Sequence, residues 1–333
     1  MNDLLIDTRL DLLQTWIQKN PDFAGRTLTT ASEDASFRRY FRINNRVDSY
    51  IIMDAPPDKE DIDPFIQVTE KLLNAGVHAP VIHESSIEQG FLLLDDLGNT
   101  SYLSQLTPAT ADRLYTQALD ALLKIQQADT TGLPPYDNKL LQIEMELFRE
   151  WFLQRHLGLS LSSSQHDDLN QIFSLLSENA VAQPQVFVHR DYHSRNLMVT
   201  IDNNPGVIDY QDAVVGPVTY DLVSLLRDCY IAWPQDQVKA WALDFRDRLV
   251  GSGLLNATDD DVFMRWFDLM GLQRHLKAIG IFARLNHRDG KAAYLQDIPR
   301  VLNYILEVAP QYTDMEALVT VIHDLQIKEK LTT

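Results

Sequence analysis

Apolar residues Leu5, Leu10, Leu13, Trp16 and Ile17 recur near helical spacing, which predicts an opening helix that stops before Asn20-Pro21. The period then changes. Residues 37–43 and 50–53 are dense in aromatic and β-branched side chains and are joined through Asn44-Asn45, so they predict an antiparallel hairpin. Helical spacing returns over 61–75 and closes at Gly76, a residue type suited to a C-cap. Residues 81–83 and 91–94 read as two short strands, and the polar step Asp95-Asp96-Leu97-Gly98 reads as a hinge. From Pro108 onward the pattern is helical over 109–127, 139–156, 165–181, 219–230, 236–250, 259–285 and 313–328, and only 186–188, 197–200 and 206–208 read as strands. There is no repeat period or low-complexity tract, and 160–164 is a short polar loop.

This order predicts an α+β fold in two lobes, a small β-rich N-lobe over 1–95 and a larger helical C-lobe over 96–333, meeting at a crevice of the kind that holds ligands. Composition narrows what such a chain does. With 333 residues, 45% of them hydrophobic, it can bury a core and is not a disordered chain. The 29 Lys and Arg against 47 Asp and Glu lack the basic footprint of a nucleic-acid binder and favour a small, locally captured substrate. The lone Cys229 excludes an internal disulfide and a cysteine-rich zinc site, which points to a reducing compartment, the cytoplasm. Asp3, Asp7, Arg9 and Asp11 interrupt the first leucines, unlike a secretory signal, and no run of about 18 apolar residues predicts a membrane span.

The chemistry is concentrated in Val188-His189-Arg190-Asp191-Tyr192-His193-Ser194-Arg195-Asn196-Leu197, followed by Val207-Ile208-Asp209. Phosphoryl transfer asks a protein chiefly to position reactants and neutralise charge. It needs a carboxylate at the acceptor hydroxyl and hard oxygen ligands that hold Mg²⁺ against nucleotide phosphates. Asp191 follows an apolar strand in a loop, where it can accept a hydroxyl proton; it is the candidate base. Asn196, at the start of the next strand, and Asp209, at the end of the strand after that, can converge on one metal and are its candidate ligands. A lone Asp after a strand is usually a turn or a cap. H-R-D-x4-N, an apolar strand pair and then I-D is a far rarer combination, with the spacing of a kinase catalytic loop and its following metal Asp.

These residues resemble the aminoglycoside phosphotransferase and choline kinase superfamily, over nearly the whole chain. The resemblance implies a two-lobed protein-kinase-like fold, nucleotide binding in the 1–95 lobe, and ATP as co-substrate with Mg²⁺. Where protein kinases have D-F-G and A-P-E, this chain has Asp209-Tyr210-Gln211 and Gly216-Pro217-Val218-Thr219-Tyr220-Asp221-Leu222, as small-molecule kinases of the superfamily do. It also implies that Asp221 opens a helix and braces the site, with an N-cap near 219–221 as a compatible alternative. Four segments are similar to the bacterial anomeric kinases of N-acetylmuramate and N-acetylglucosamine: Asp34-Ala35-Ser36-Phe37-Arg38-Arg39-Tyr40-Phe41-Arg42, Met53-Asp54-Ala55-Pro56-Pro57, residues 189–196, and Leu272-Gln273-Arg274-His275-Leu276-Lys277-Ala278-Ile279-Gly280-Ile281-Phe282. That likeness implies phosphorylation of the sugar C1 hydroxyl in peptidoglycan recycling, and an α-1-phosphate passed to a uridylyltransferase.

The hairpin has no G-x-G-x-x-G, so backbone amides and Arg38, Arg39 and Arg42 are left to serve the phosphates. Alternation puts Arg38 and Arg42 on one face, the favoured one, and Arg39 on the other. The superfamily's phosphate-binding Lys is missing from 50–54, with Met53 about where it would stand, although Glu70 sits where its helix partner is expected. Main-chain groups of Leu94 and Asp96 are expected to hold the adenine. On the acceptor side Arg274, Lys277 and Arg284 share a helix face that meets either a substrate carboxylate or solvent. His193 and Arg195 lie inside the loop itself, and Gln211 and Asp212 follow the metal Asp within reach of sugar hydroxyls. His78, His83, His156 and His166 lack metal-site spacing, and Phe263, Trp266 and Phe267 read as core. Two readings stand beside the sugar kinase: a kinase of another small hydroxyl compound, such as an aminoglycoside, choline or homoserine, which an acidic surface suits, and a catalytically silent nucleotide-binding scaffold, motivated by the missing Lys.

Overall fold

In the computed structural model residues 7–33 and 37–331 are described; Leu5 of the opening helix and Asp34, Ala35 and Ser36 of the arginine segment lie outside the described residues. The chain forms two compact units, Met1–Thr100 with Met198–Asp212, and Ser101–Leu197 with Ala213–Thr333.

In the first unit, α1 (Thr8–Ile17) starts at Asp7, whose carboxylate accepts the Leu10 amide at 3.1 Å, and it buries Leu13 and Ile17. Strands β1 (Thr29–Glu33), β2 (Arg39–Asn44) and β3 (Ser49–Asp54), then α2 (Asp63–Asn74), β4 (Ile82–Ser86) and β5 (Phe91–Asp95), follow in the chain. The strands pair antiparallel in the order β1-β2-β3-β5-β4. Phe41 pairs with Ile52 and Ile52 with Leu93, so these three share a face, and they form one core with Phe23, Ile43, Phe91, Leu13 and Ile17. Tyr40, Met53 and Leu92 align on the opposite face beside Arg42, Ile51 and Leu94. The expected hairpin is turned by Asn45, whose side-chain oxygen accepts the Val47 amide at 2.7 Å and the Asp48 amide at 2.6 Å. Gly76 closes α2 at a φ of +74°; its amide bonds Leu73 O and the Val77 amide bonds Leu72 O, both at 3.0 Å, which satisfies two orphan carbonyls at once.

The second unit opens with α3 (Tyr102–Gln105) and α4 (Ala111–Gln126). Helix α5 (Asn138–Leu147) continues without a break into wider turns over Phe148–His156, and α6 (Ser163–Val181), entered through a reciprocal Ser162–Gln165 cap, leads to β6 (Gln185–Val188). Strand β7 (Leu197–Met198) leads out of this unit into the 198–212 segment of the first, where β8 (Gly206–Val207) lies and forms a two-stranded ladder with β7; back in the second unit, β9 (Val214–Pro217) pairs antiparallel with β6. Helices α7 (Tyr220–Leu226), α8 (Gln235–Gly251), α9 (Asp260–Asp289), α10 (Ile298–Val308), α11 (Glu316–Asp324) and α12 (Ile327–Lys330) complete the chain. The 30-residue α9 is the spine: Leu272, Leu276, Ile279 and Ala283 share a buried core with Phe148, Phe152, Ile172, Val301 and Ile305.

The boundary expected after residue 95 differs from the units found, because 198–212 return to the sheet-bearing unit. There the Val199 amide bonds Thr100 O at 2.7 Å and the Val207 amide bonds His78 O at 2.8 Å. The helix expected over 219–230 ends at Leu226, since Arg227 leaves helical geometry and gives its carbonyl to His275 Nε2 at 3.1 Å. The helix expected over 313–328 is divided at Gln326, which is left-handed. Phe263 and Phe267 are fully buried as expected, whereas Trp266 is partly exposed. Among the described residues no helix is long and apolar enough to cross a membrane.

Helix α9 passes so close to the chain at 147–148 that a Cβ on Gly280 would overlap the Leu147 carbonyl carbon and lie 2.5 Å from the Phe148 nitrogen. Gly280→Ala is therefore expected to destabilise the protein by about 1–3 kcal/mol, despite the roughly 1 kcal/mol that Ala gains over Gly inside a helix. A denaturation midpoint at or above that of the wild type would show that the two backbones yield.

Candidate active site

The residues singled out by sequence fall in both units. Asp191, His193, Arg195, Asn196, Asp221, Arg274 and Lys277 belong to the second; Asp209, Gln211, Asp212, Arg38, Arg42, Glu70, Leu94 and Asp96 belong to the first.

In the second unit β6 ends at Val188 and the chain enters a loop that its own polar groups hold rigid. The Asp221 carboxylate, fully buried in the first turn of α7, accepts the His189 amide at 2.7 Å and the Arg190 amide at 3.0 Å. Burial pushes its carboxyl up to about 7, against the opposing pull of those amides. Arg190 sits at a φ of +77°, an unfavourable conformation for a non-glycine residue, and the Asp221 clamp lies at that point. Further on, the Ser194 amide donates to Asp228 at 2.9 Å, Tyr192 OH donates to Ala118 O on α4 at 2.7 Å, and Asn196 Nδ2 donates to Asp191 O at 3.0 Å.

Asp191 is partly exposed, and its carboxylate makes no hydrogen bond or ion pair with a described residue. Burial works to raise its carboxyl, but the charges of Lys277, His193, Arg274 and Arg190 outweigh burial and hold it below its ordinary value. It is ionised at neutral pH and ready to accept a proton. Around it stands a cationic wall with one internal counter-charge. Glu144 on α5, itself buried, takes Arg190 Nη2 at 2.5 Å, Lys277 Nζ at 3.1 Å and the Tyr136 hydroxyl. Lys277 Nζ also donates to Tyr220 OH at 3.0 Å. Arg195, exposed, places its guanidinium 3.5 Å from the centre of the Tyr230 ring, against whose edge His193 also packs.

In the first unit Asp209 adopts a left-handed φ of +67°, and its Oδ1 accepts Gln211 Nε2 at 2.9 Å. Gln211 is buried with its Oε1 unsatisfied, whereas Asp212 is exposed. Tyr210 anchors this turn to α2 through Thr69 at 2.8 Å and the Phe65 ring. Among the described residues no group of three or more His, Cys, Asp or Glu is arranged to hold a metal. A carboxylate such as that of Asp209 and an amide such as that of Asn196 are each ligand types that Mg²⁺ takes, and it takes few protein ligands when phosphates supply the rest.

On the nucleotide side two of the candidate residues bind each other. Arg42, expected on phosphates, closes on Asp96 at 2.5 and 2.9 Å and on Asn99 at 2.7 Å; Asp96, expected to offer main-chain groups, uses its side chain to bind Arg42, Ser49 and Gly98. Glu70 is exposed and has no ion pair with a described residue, since no strand Lys exists to meet it and Met53 is buried in its place. Glu60 instead takes Arg38, at 2.9 Å. Arg39, on the α1 face, binds Asp54 together with Arg9 and also reaches Asp7, a tie between strand and helix. Leu94 is a buried β5 residue paired with Ile51. Sequence reasoning passed over Glu144, Asp228 and Glu60. For Glu144 a signal existed: Leu141, Glu144, Met145 and Phe148 follow a core-facing helical period with one carboxylate in it.

A model of the phosphotransferase enzyme family matches residues 27–254. An N-acetylmuramate/N-acetylglucosamine kinase of Pseudomonas aeruginosa is 48% identical over 279 residues, which cover 84% of this chain and 82% of that protein. One from Pseudomonas putida, with the same name, is 46% identical over 331 residues, 96% of this chain and 97% of that protein. In structure the chain is similar to choline kinase LicA from Streptococcus pneumoniae, with a TM-score of 0.64 at 10% identity across 90% of this chain and 99% of that one. The family match spans more than half of the sequence and includes the braced loop at 189–196 with the Asp209 turn, and the chain belongs to the phosphotransferase enzyme family.

Proposed function

We propose that this phosphotransferase is an ATP- and Mg²⁺-dependent kinase of the anomeric C1 hydroxyl of N-acetylmuramate and N-acetylglucosamine, acting in the cytoplasm in peptidoglycan recycling. The names of its relatives support the substrate. The observation that carries the chemistry is the Asp191 carboxylate, without a hydrogen-bond partner among the described residues and held below its ordinary pKa by neighbouring cations, on a loop locked by Asp221 and Asp228. Asp191 positions the C1 hydroxyl and takes its proton as the sugar oxygen attacks the γ-phosphorus and the bond to the β-phosphate oxygen breaks. Asn196 and Asp209 would hold Mg²⁺, which supplies positive charge to the phosphates. Arg38 and Arg42 serve the nucleotide's phosphates in this reading, with Glu70 at the edge of that site and Leu94 and Asp96 at the adenine. His193, Arg195, Gln211, Asp212, Arg274 and Lys277 form the acceptor side. The α-1-phosphate then suits a uridylyltransferase.

The cations around Asp191 argue against choline or an aminoglycoside as acceptor, because a like charge would be repelled there. Phosphorus NMR of the product tests the reading. Purified protein with ATP, Mg²⁺ and N-acetylmuramate is expected to give a phosphomonoester doublet split by the anomeric proton. Turnover confined to cationic alcohols, or none with any acceptor, would reject it.

A further inference from the structure

Two cations one turn apart on α9 have different fates. Lys277 is neutralised by Glu144 at 3.1 Å and hydrogen-bonded to Tyr220 at 3.0 Å. Arg274 is only 6% exposed, yet it has no ion pair with a described residue, and its one hydrogen bond runs from Nη1 to Cys229 Sγ at 3.8 Å. Its Nε is buried with no hydrogen-bond partner among the described residues. Cys229 is not a hidden counter-ion, since burial pushes its thiol up to about 11 and it stays neutral. Nor does Asp228 reach the guanidinium, as its two oxygens accept the Ser194 and Tyr230 amides at 2.9 Å each.

A guanidinium carries five N–H donors, and burying one without an anion or full hydrogen bonding is costly. Such a group is retained where a ligand completes it. His193, in the loop beside Asp191, adds a second buried nitrogen without a hydrogen-bond partner among the described residues, Nδ1. Arg274 and His193 both lie near enough to act electrostatically on Asp191, so these unfinished polar groups lie around the group that meets the acceptor.

We propose that Arg274, rather than Lys277, is the receptor for a carboxylate on the acceptor and sets the preference for an acidic over a neutral sugar. The inference rests on the proposed function and assigns its specificity. Of the two proposed sugars N-acetylmuramate carries a carboxylate, on its lactyl ether, and N-acetylglucosamine carries none. Bidentate N–H···O bonds from a guanidinium fit that group, and a solvent-poor setting strengthens them.

The test compares kcat/KM for three acceptors, N-acetylmuramate, its lactyl methyl ester and N-acetylglucosamine, on wild type, Arg274→Gln and Arg274→Lys. Arg274 also bears on the Asp191 carboxyl, so the informative quantity is the ratio between acceptors on one preparation, which cancels losses common to all three. Wild type is expected to favour the acid over its ester. Arg274→Gln is expected to lower the ratio of acid to neutral sugar by about 10- to 100-fold, mainly through KM, and Arg274→Lys to lower it less. Equal losses for all three acceptors would overturn the inference, assigning Arg274 to the phosphates or to the scaffold while the proposed function stands. Should Arg274→Gln fail to fold, wild type alone decides, since equal use of acid and ester overturns the inference too. If wild type phosphorylates neither sugar, the functional reading itself fails, and the inference with it.

Discussion

Asp191→Asn is expected to fold normally and to lose about 10³-fold or more in kcat, since general-base assistance alone is worth roughly 10²–10⁴-fold and the acceptor also loses its positioning partner. Folding should survive because the carboxylate makes no hydrogen bond or ion pair with a described residue; the loop is fixed instead by the Asp191 backbone, through Asn196 Nδ2 and the His193 amide. The amide is nearly isosteric with the carboxylate but cannot take up a proton. The substitution also removes the negative charge that Lys277, Arg274 and Arg190 stabilise, so a small fall in melting temperature accompanies the kinetic loss. Nucleotide consumption with N-acetylmuramate and a thermal melt on the same preparation check both halves. A variant within tenfold of wild type would remove Asp191 from the chemistry. A wild type with no Mg²⁺-dependent turnover would favour the silent scaffold instead.

The features legible in the sequence are those whose cause is local. Asn45 turns the hairpin with its own side chain, Gly76 closes α2 by adopting positive φ, and the spacing of Asp191 from Asn196 is set by a loop that bonds to itself. The alternation that sets Arg39 apart from Arg42 follows equally from strand geometry. What escapes is pairing across the chain. Nothing near Arg42 announces Asp96, 54 residues on, and nothing near Arg190 announces Glu144, 46 residues back. Strand alternation separates Arg42 from Arg39, but it does not announce the carboxylate that each meets, Asp96 for Arg42 and Asp54 for Arg39. Strand β1 escapes for another reason, since an edge strand of Thr, Ala, Ser and Glu lacks the apolar alternation that betrays its neighbours. Helix α10 did carry a signal, with Ile298, Val301, Leu302, Ile305 and Val308 at helical spacing behind a first-turn proline.

Glu144→Gln is expected to destabilise the protein by about 3–5 kcal/mol, the cost of removing one partner from a buried ion pair, and to lower kcat as well. Glutamine keeps the shape of the side chain and can still meet Tyr136, but it leaves Arg190 and Lys277 buried, close and mutually repelling. Burial works to raise the Glu144 carboxyl, yet Lys277 and Arg190 outweigh it and hold it below its ordinary value of 4.5. Its stabilisation is thus fully present above that value and is lost as pH falls through the lower folded one, so the gap between variant and wild type should narrow only in acid. Arg190 immediately precedes Asp191 and holds a strained φ, so loosening its guanidinium disturbs the base directly. Urea unfolding of Glu144→Gln, Lys277→Met and the double variant measures the interaction. Because the double variant leaves a single uncompensated cation, Arg190, it should be destabilised by less than the sum of the two single effects. Strict additivity would mean that Glu144 and Lys277 do not sense each other, and the cationic wall around Asp191 would lose its counter-charge as an explanation.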